Sequence, residues 1–149
     1  MKIGIGSDHG GFELKEYLKE YLKKQNIEYI DYGTNSLESV DYPDFALKVA
    51  EGVVNGECNK GIVVCGTGIG VSISCNKVRG IRCALLSDTY SARMSAEHNN
   101  ANVIALGGRV IGKDLAVEIV SAWLKSESLG GRRERRINKI SDIEAKYML

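Results

Sequence analysis

Proline is nearly missing from this chain: Pro43 is the only one among 149 residues. Histidine is almost as scarce, with His9 and His98, and the four cysteines (Cys58, Cys65, Cys75 and Cys83) form no C-x-x-C pair. That spacing excludes a structural zinc site, which needs close pairs of such ligands. Charge of one sign is lacking too. Twenty Lys and Arg stand against nineteen Asp and Glu, a net charge of +1, which argues against a general nucleic-acid binder with a broad basic surface. No long apolar run exists. The opening M-K-I-G-I-G-S-D-H is too short for a signal peptide, and nothing approaches membrane-spanning length. These absences lead to the expectation of a cytoplasmic protein with reduced thiols and no membrane association. With no repeat, low-complexity tract or domain linker, residues 1–149 read as a single domain large enough for a full core.

What the chain does have is glycine, at seventeen residues, and one segment uses it distinctively. Gly61 to Gly70 reads G-I-V-V-C-G-T-G-I-G. Ile62, Val63 and Val64 run straight into Cys65, and glycines follow at 66, 68 and 70. This is the pattern of a buried parallel strand ending in a turn whose bare backbone can close around a small anion. Cys65 falls where strand becomes loop, the usual place for chemistry in α/β proteins. A thiol there, beside backbone N–H groups at a helix start, favours the thiolate. The alternative is a buried structural cysteine, and local sequence weighs the two equally. The loop is neither the G-x-G-x-x-G of dinucleotide folds nor a P-loop, because it has no lysine.

Hydrophobic spacing predicts strands over 2–7, 27–32, 60–65, 81–86 and 102–106. Helices are predicted over 11–24, 42–54 (with Pro43 in the first turn), 70–77, 89–97, 112–124 and about 133–147. Five strands alternating with helices predict an α/β/α three-layer sandwich around a five-stranded parallel sheet, Rossmann-like in plan. Gly130-Gly131 reads as a flexible joint that detaches the last helix from the core. Cys75 and Cys83 fall in regular elements and read as small buried hydrophobes. Cys58 falls in a polar loop and reads as incidental.

Three further features stand out. The first strand ends in Asp8-His9-Gly10-Gly11, where Asp8 is equally a helix cap and a substrate contact. His98-Asn99-Asn100 ends the helix before the last strand, so element order alone does not bring it to Cys65. Arg132, Arg133, Arg135 and Arg136 open the final helix, where cations oppose the helix dipole. Arg132 and Arg136, four apart, share a face, and guanidinium groups suit phosphate. The plainer reading is a solvated, salt-bridged surface with Glu134. Arg109, in G-G-R-V, is a further loop candidate.

In order along nearly the whole chain, these motifs resemble the type B ribose-5-phosphate isomerases, whose family also holds galactose-6-phosphate isomerase subunits. The matching residues are S-D-H-G-G-F (7–12), D-Y-P-D (41–44), C-G-T-G-I-G (65–70) and N-K-x-x-G-I-R (76–82). They continue as H-N-x-A-N-V (98–103), G-G-R-V (107–110) and G-G-R-x-x-x-R (130–136). The resemblance implies an aldose–ketose isomerisation with no metal or organic cofactor. Cys65 matches the family's base, and Val71, where other members carry a glutamate, marks the cysteine-base subtype. His98 matches the ring-opening residue, and Thr67 would position the reacting carbons. Backbone groups of Gly66, Thr67, Gly68, Ile69 and Gly70 would hold the developing oxyanion. Asp8, Tyr42 and Asn99 match residues near the sugar, and His9, Arg109, Arg132 and Arg136 match the phosphate side. Arg133 and Arg135 do not match and are left as surface charges. The resemblance also implies a homodimer, or a dimer of dimers, with shared sites and the C-terminal helix reaching a partner subunit.

Other functions remain open at this level. A hexose-6-phosphate isomerase of the allose or galactose type would differ only in room for one more carbon. A non-catalytic sugar-phosphate sensor would keep the arginines and the glycine loop but would not need Cys65 and His98. A redox-active thiol protein has less support, having no resolving cysteine at close spacing.

Overall fold

Alternation of apolar side chains along the central strands sets the layering. The computed structural model describes residues 1–148. In it β1 (Lys2–Ser7), β2 (Glu28–Asp31), β3 (Lys60–Cys65), β4 (Cys83–Leu85) and β5 (Val103–Gly107) form one parallel sheet ordered β2-β1-β3-β5-β4. Ile62 and Val64 of β3, with Ile104 and Leu106 of β5, pack under α1 (Phe12–Lys24), α4 (Thr89–Glu97) and α5 (Lys113–Lys125). Val63 and Cys65, with Val103 and Ala105, face α2 (Tyr42–Val54) and α3 (Ile69–Cys75). Odd and even positions thus serve opposite faces, as in strands covered on both sides. The expected three-layer sandwich with a five-stranded parallel sheet is the fold. Among the described residues, no helix is long and apolar enough to cross a membrane.

The strand order creates the crevice. From β1 the chain moves outward to β2, then returns to place β3 on the other side of β1. The helices that follow β1 and β3 pack on opposite faces of the sheet there, which places a ligand crevice at the C-terminal ends of these strands.

Several expectations change in detail. β4 is shorter than the predicted 81–86. The Arg82 N–H donates to Asn102 Oδ1 at 2.8 Å, so a side chain takes the place of a ladder partner. A turn of 3-10 helix over His9–Gly11, not foreseen, separates β1 from α1. Cys58 is buried, not incidental: Gly4 and Gly52 leave room for its sulfur beside Tyr32. Burial there raises the Cys58 thiol pKa.

The last helix, α6 (Arg132–Tyr147), is not detached. Gly130 and Gly131 do break the chain before it, both with positive φ. Yet Ile137 is buried, and Glu144 Oε2 accepts the Gly80 N–H at 3.0 Å.

Candidate active site

Three loops meet at the C-terminal edge of the sheet. Asp8 is buried, and its Oδ1 accepts the Gly11 N–H at 3.1 Å, so it does cap the turn after β1. Gly10 lies against the loop after β3, since an added β-carbon would sit 3.2 Å from Gly66 N. Gly108 closes the third side. Its N–H donates to Cys65 O at 2.8 Å, and the Arg109 N–H donates to Gly66 O at 3.0 Å. Backbone without side chains lets these segments approach so closely.

Cys65 stands at the centre. The residue is 5% exposed, and its sulfur accepts the Gly68 N–H at 3.2 Å. Gly68 has φ +80°, and a β-carbon there would press on Leu85 and on the backbone of Leu106, so only glycine makes this turn without strain. Thr67 is exposed, and its Oγ1 accepts the Ile69 N–H at 3.2 Å, shaping the start of α3. Among the described residues, the N–H groups of Gly66, Thr67 and Gly70 donate to no protein acceptor. Donors of this kind around a thiol are suited to a small anionic oxygen.

The walls carry a guanidinium, an imidazole and a phenol ring. Arg109 Nη1 lies 3.2 Å from the β-carbon position of Gly66, so the guanidinium covers the glycine loop. The Tyr42 ring lies against Gly70, 2.5 Å from the β-carbon position there. His9 Nδ1 accepts the Val40 N–H at 3.2 Å, which leaves Nε2 to carry the proton of the neutral ring. A cavity of about 250 Å³ lies between His9 and Arg109, with Leu37 and Glu13 on its rim.

A buried ion network braces this edge. Lys15, fully buried, places Nζ 2.8 Å from both oxygens of Asp31, and Lys19 adds a third contact at 2.8 Å. Burial alone would raise the Asp31 pKa. Lys15, Lys19 and the Gly33 N–H outweigh it and hold the carboxyl below its ordinary range. Asp31 thereby fixes Gly33, whose carbonyl accepts the Ser7 N–H at 2.7 Å beside Asp8.

The remaining candidates lie elsewhere. His98 caps the C-terminal end of α4, and Asn99 follows it into the turn before β5. That turn is at the N-terminal edge: Asn102 O accepts the N–H of Gly61, which opens the buried run leading to Cys65. The four steps from Gly61 to Cys65 span about 13 Å. Arg132 and Arg136 go with His98, because the Leu129 N–H donates to Glu97 O at 3.0 Å just before α6 begins. A groove of about 410 Å³, larger than the cavity beside His9, runs between β4 and α6 and includes Asn99. One chain therefore gathers Asp8, His9, Tyr42, Cys65 to Gly70 and Arg109, and holds His98, Asn99, Arg132 and Arg136 apart. Among the described residues, no three His, Cys, Asp or Glu side chains converge as metal ligands.

A sequence model of the family described as Ribose/Galactose Isomerase matches residues 3–140. The chain belongs to that family. It is 48% identical to ribose-5-phosphate isomerase B of Escherichia coli K12 over 96% of each chain. The solved ribose-5-phosphate isomerase B of Clostridium thermocellum superposes with a TM-score of 0.98 at 61% identity, covering 99% of both chains. The corresponding Thermotoga maritima enzyme gives 0.93 at 52% identity, covering 95% of this chain and 97% of its own. The expected family and fold both hold, and the chain is an isomerase of this family.

Sequence reasoning missed Leu37, Glu13 and the Val40 N–H on His9. They enter through a loop and a helix face whose positions no local pattern announces. It also left Arg82 without a role, although the N-K-x-x-G-I-R motif had drawn attention to it.

Proposed function

We propose that the protein interconverts ribose 5-phosphate and ribulose 5-phosphate without a metal or organic cofactor, acting as one domain in the cytoplasm. The observation that carries this reading is the Cys65 sulfur under the Gly68 N–H, among the undirected N–H groups of Gly66, Thr67 and Gly70. An aldose–ketose shift needs a base within reach of adjacent carbons and donors for the oxyanion formed between them. Cys65 takes the proton from C2, and the negative charge moves to the carbonyl oxygen, giving a cis-enediolate. The glycine-loop N–H groups receive that oxygen. The hydroxyl proton passes from O2 to O1 within the enediolate, and the proton taken from C2 returns at C1, leaving a ketone at C2 and a hydroxyl at C1. Thr67 keeps the two carbons beside the sulfur, and Asp8 and Tyr42 hold the sugar.

Ribose 5-phosphate is a closed furanose, so a proton must first reach the ring oxygen. His98 is the donor in this reading, and Asn99 binds the enediolate or its hydroxyls. Both lie too far from Cys65 in one chain, so the reading requires a second copy. A symmetric dimer, alone or paired into a tetramer, brings His98, Asn99, Arg132 and Arg136 of one subunit to Cys65 of the other. His9 and Arg109 approach the phosphate from one side and Arg132 and Arg136 from the other.

The test is turnover of ribose 5-phosphate by the purified protein with chelator present and allose 6-phosphate run in parallel. Chelator-resistant pentose turnover exceeding hexose turnover is the expected result. Silence on both sugars, in a folded protein that still binds them, overturns the catalytic reading in favour of a sensor. Faster allose 6-phosphate turnover moves the assignment to the hexose.

A further inference from the structure

Arg82 belongs to none of the groups above, yet three parts of the second half-site meet at it. Its Nε–H donates to the Asn100 carbonyl at 2.9 Å. Its backbone is locked to Asn102 in both directions: Asn102 Oδ1 accepts the Arg82 N–H at 2.8 Å, and Arg82 O accepts the Asn102 N–H at 3.1 Å. Asn102 Nδ2 reaches on to Gly80 O at 2.8 Å, and Gly80 N donates to Glu144 of α6. Arg82, Asn99 and Glu144 line the same groove between β4 and α6.

The held carbonyl is a particular one. Asn100 has φ +46°, a left-handed conformation that a non-glycine residue adopts at some cost. That twist turns the chain from the end of α4 into β5 directly after His98 and Asn99. A charged donor on the Asn100 carbonyl favours it, since hydrogen bonds to charged groups are the stronger kind.

We propose that Arg82 is a positioning residue for ring opening: through the Asn100 carbonyl it holds the His98–Asn99 turn in the orientation from which that turn meets the sugar. It acts on the turn and not on Cys65, which lies at the opposite edge. The inference rests on the isomerase reading, and on His98 as the ring-opening donor.

Two rates measured on one preparation test it. The first is conversion of ribose 5-phosphate, whose ring must open. The second is solvent-deuterium entry at C1 of ribulose 5-phosphate. The phosphate on O5 of that ketose leaves no hydroxyl to close a five-membered ring, so exchange needs only removal and return of the C1 proton. The ratio of the two rates is independent of how much of the sample is folded. Arg82→Ala is expected to lower the ratio about tenfold, the scale of one hydrogen bond from a charged group. Arg82→Lys keeps a cation near Glu144 but has no Nε–H to reach Asn100, so it should lower the ratio to a similar degree. An unchanged ratio in Arg82→Ala, or a wild-type ratio in Arg82→Lys, overturns the proposal. Failure of the isomerase reading looks different: wild-type protein would then show neither conversion nor exchange.

Discussion

At the C-terminal edge of the sheet, three loops close on one another around Cys65, tied by backbone hydrogen bonds and braced by the buried Lys15 and the half-buried Lys19. At the N-terminal edge, His98 and Asn99 stand on a turn held by the side chains of Arg82 and Asn102, beside an open groove. The first edge carries a buried thiol beside N–H groups that, among the described residues, donate to no protein acceptor. The second carries an imidazole and two arginines with no such cradle. In the proposed reaction, neither edge alone supplies both a base for C2 and a donor for the ring oxygen. The contrast teaches that the proposed reaction divides along the sheet, with proton transfer at one end and ring opening at the other. The proposed isologous pair, in which each chain lends its second edge to the other's first, would restore the complete set twice over.

The largest effect expected is from Cys65→Ala. A positioned general base contributes about 10²–10⁴-fold, so turnover should fall by about three orders of magnitude with sugar-phosphate affinity kept within a few-fold. Normal turnover in that variant would remove Cys65 from the mechanism. His98→Asn should be severely impaired on ribose 5-phosphate as well. The two damaged proteins, unfolded together and refolded at equal amounts, should regain about a quarter of wild-type activity. Half of a random mixture is hybrid dimer, and each hybrid has one intact site out of two. No recovery above the unmixed variants breaks the comparison, because both groups would then serve a site within one chain.

A smaller effect is expected at the phosphate. Arg132→Ala and Arg136→Ala should each raise KM about tenfold with little change in kcat, provided the phosphate is bound equally in ground and transition states. Arg109→Ala, from the opposite edge, should do the same. A KM that moves only for Arg109 would confine phosphate binding to the C-terminal edge and leave Arg132 and Arg136 as surface charges.

The C-terminal edge was the more legible of the two in the sequence, for a physical reason. The apolar run Ile62–Val64 leading into Cys65 and its glycines is contiguous, so strand, turn and thiol are read together. The α/β/α layering followed from alternating periods, and strands β1 and β3 fell at the predicted residues. What escaped was anything set by contacts distant in sequence. β4 lost Arg82 to the side chain of Asn102, twenty residues on. Cys58 looked loose in its loop, but its burial depends on Gly4 and Tyr32. The Gly130-Gly131 pair suggested a free helix because nothing local shows that Glu144 meets Gly80. Asp8 could be read as cap or ligand, and its carboxylate does make the cap.

The smallest effect expected concerns acid, and it separates the edges by what holds them. The Asp31 pKa is displaced downward from 3.8, and that of Lys19 upward from 10.5. For Asp31, burial opposes ionisation, and the bonds from Lys15, Lys19 and Gly33 overcome it. For Lys19, burial again opposes the charge, and Asp31 and Glu16 restore it. The carboxylate's contribution to stability is complete above its ordinary value and fades as pH falls through the lower, folded value. The ammonium's contribution is complete below its ordinary value and fades only as pH rises through the higher one. The brace is therefore whole from about pH 4 to pH 10 and weakens first in acid. The turn at the other edge is held directly by amide groups and an arginine, none of which titrates there, and its nearest carboxylate, Glu144, bonds only to Gly80 one step removed. Hydrogen exchange followed from pH 6 to pH 3, corrected for the intrinsic rate, should show Gly33 and Thr34 losing protection before Asn102 and Val103. Protection lost at the same pH at both edges would mean that the sheet loosens as one unit and that Asp31 does not brace the Cys65 edge separately.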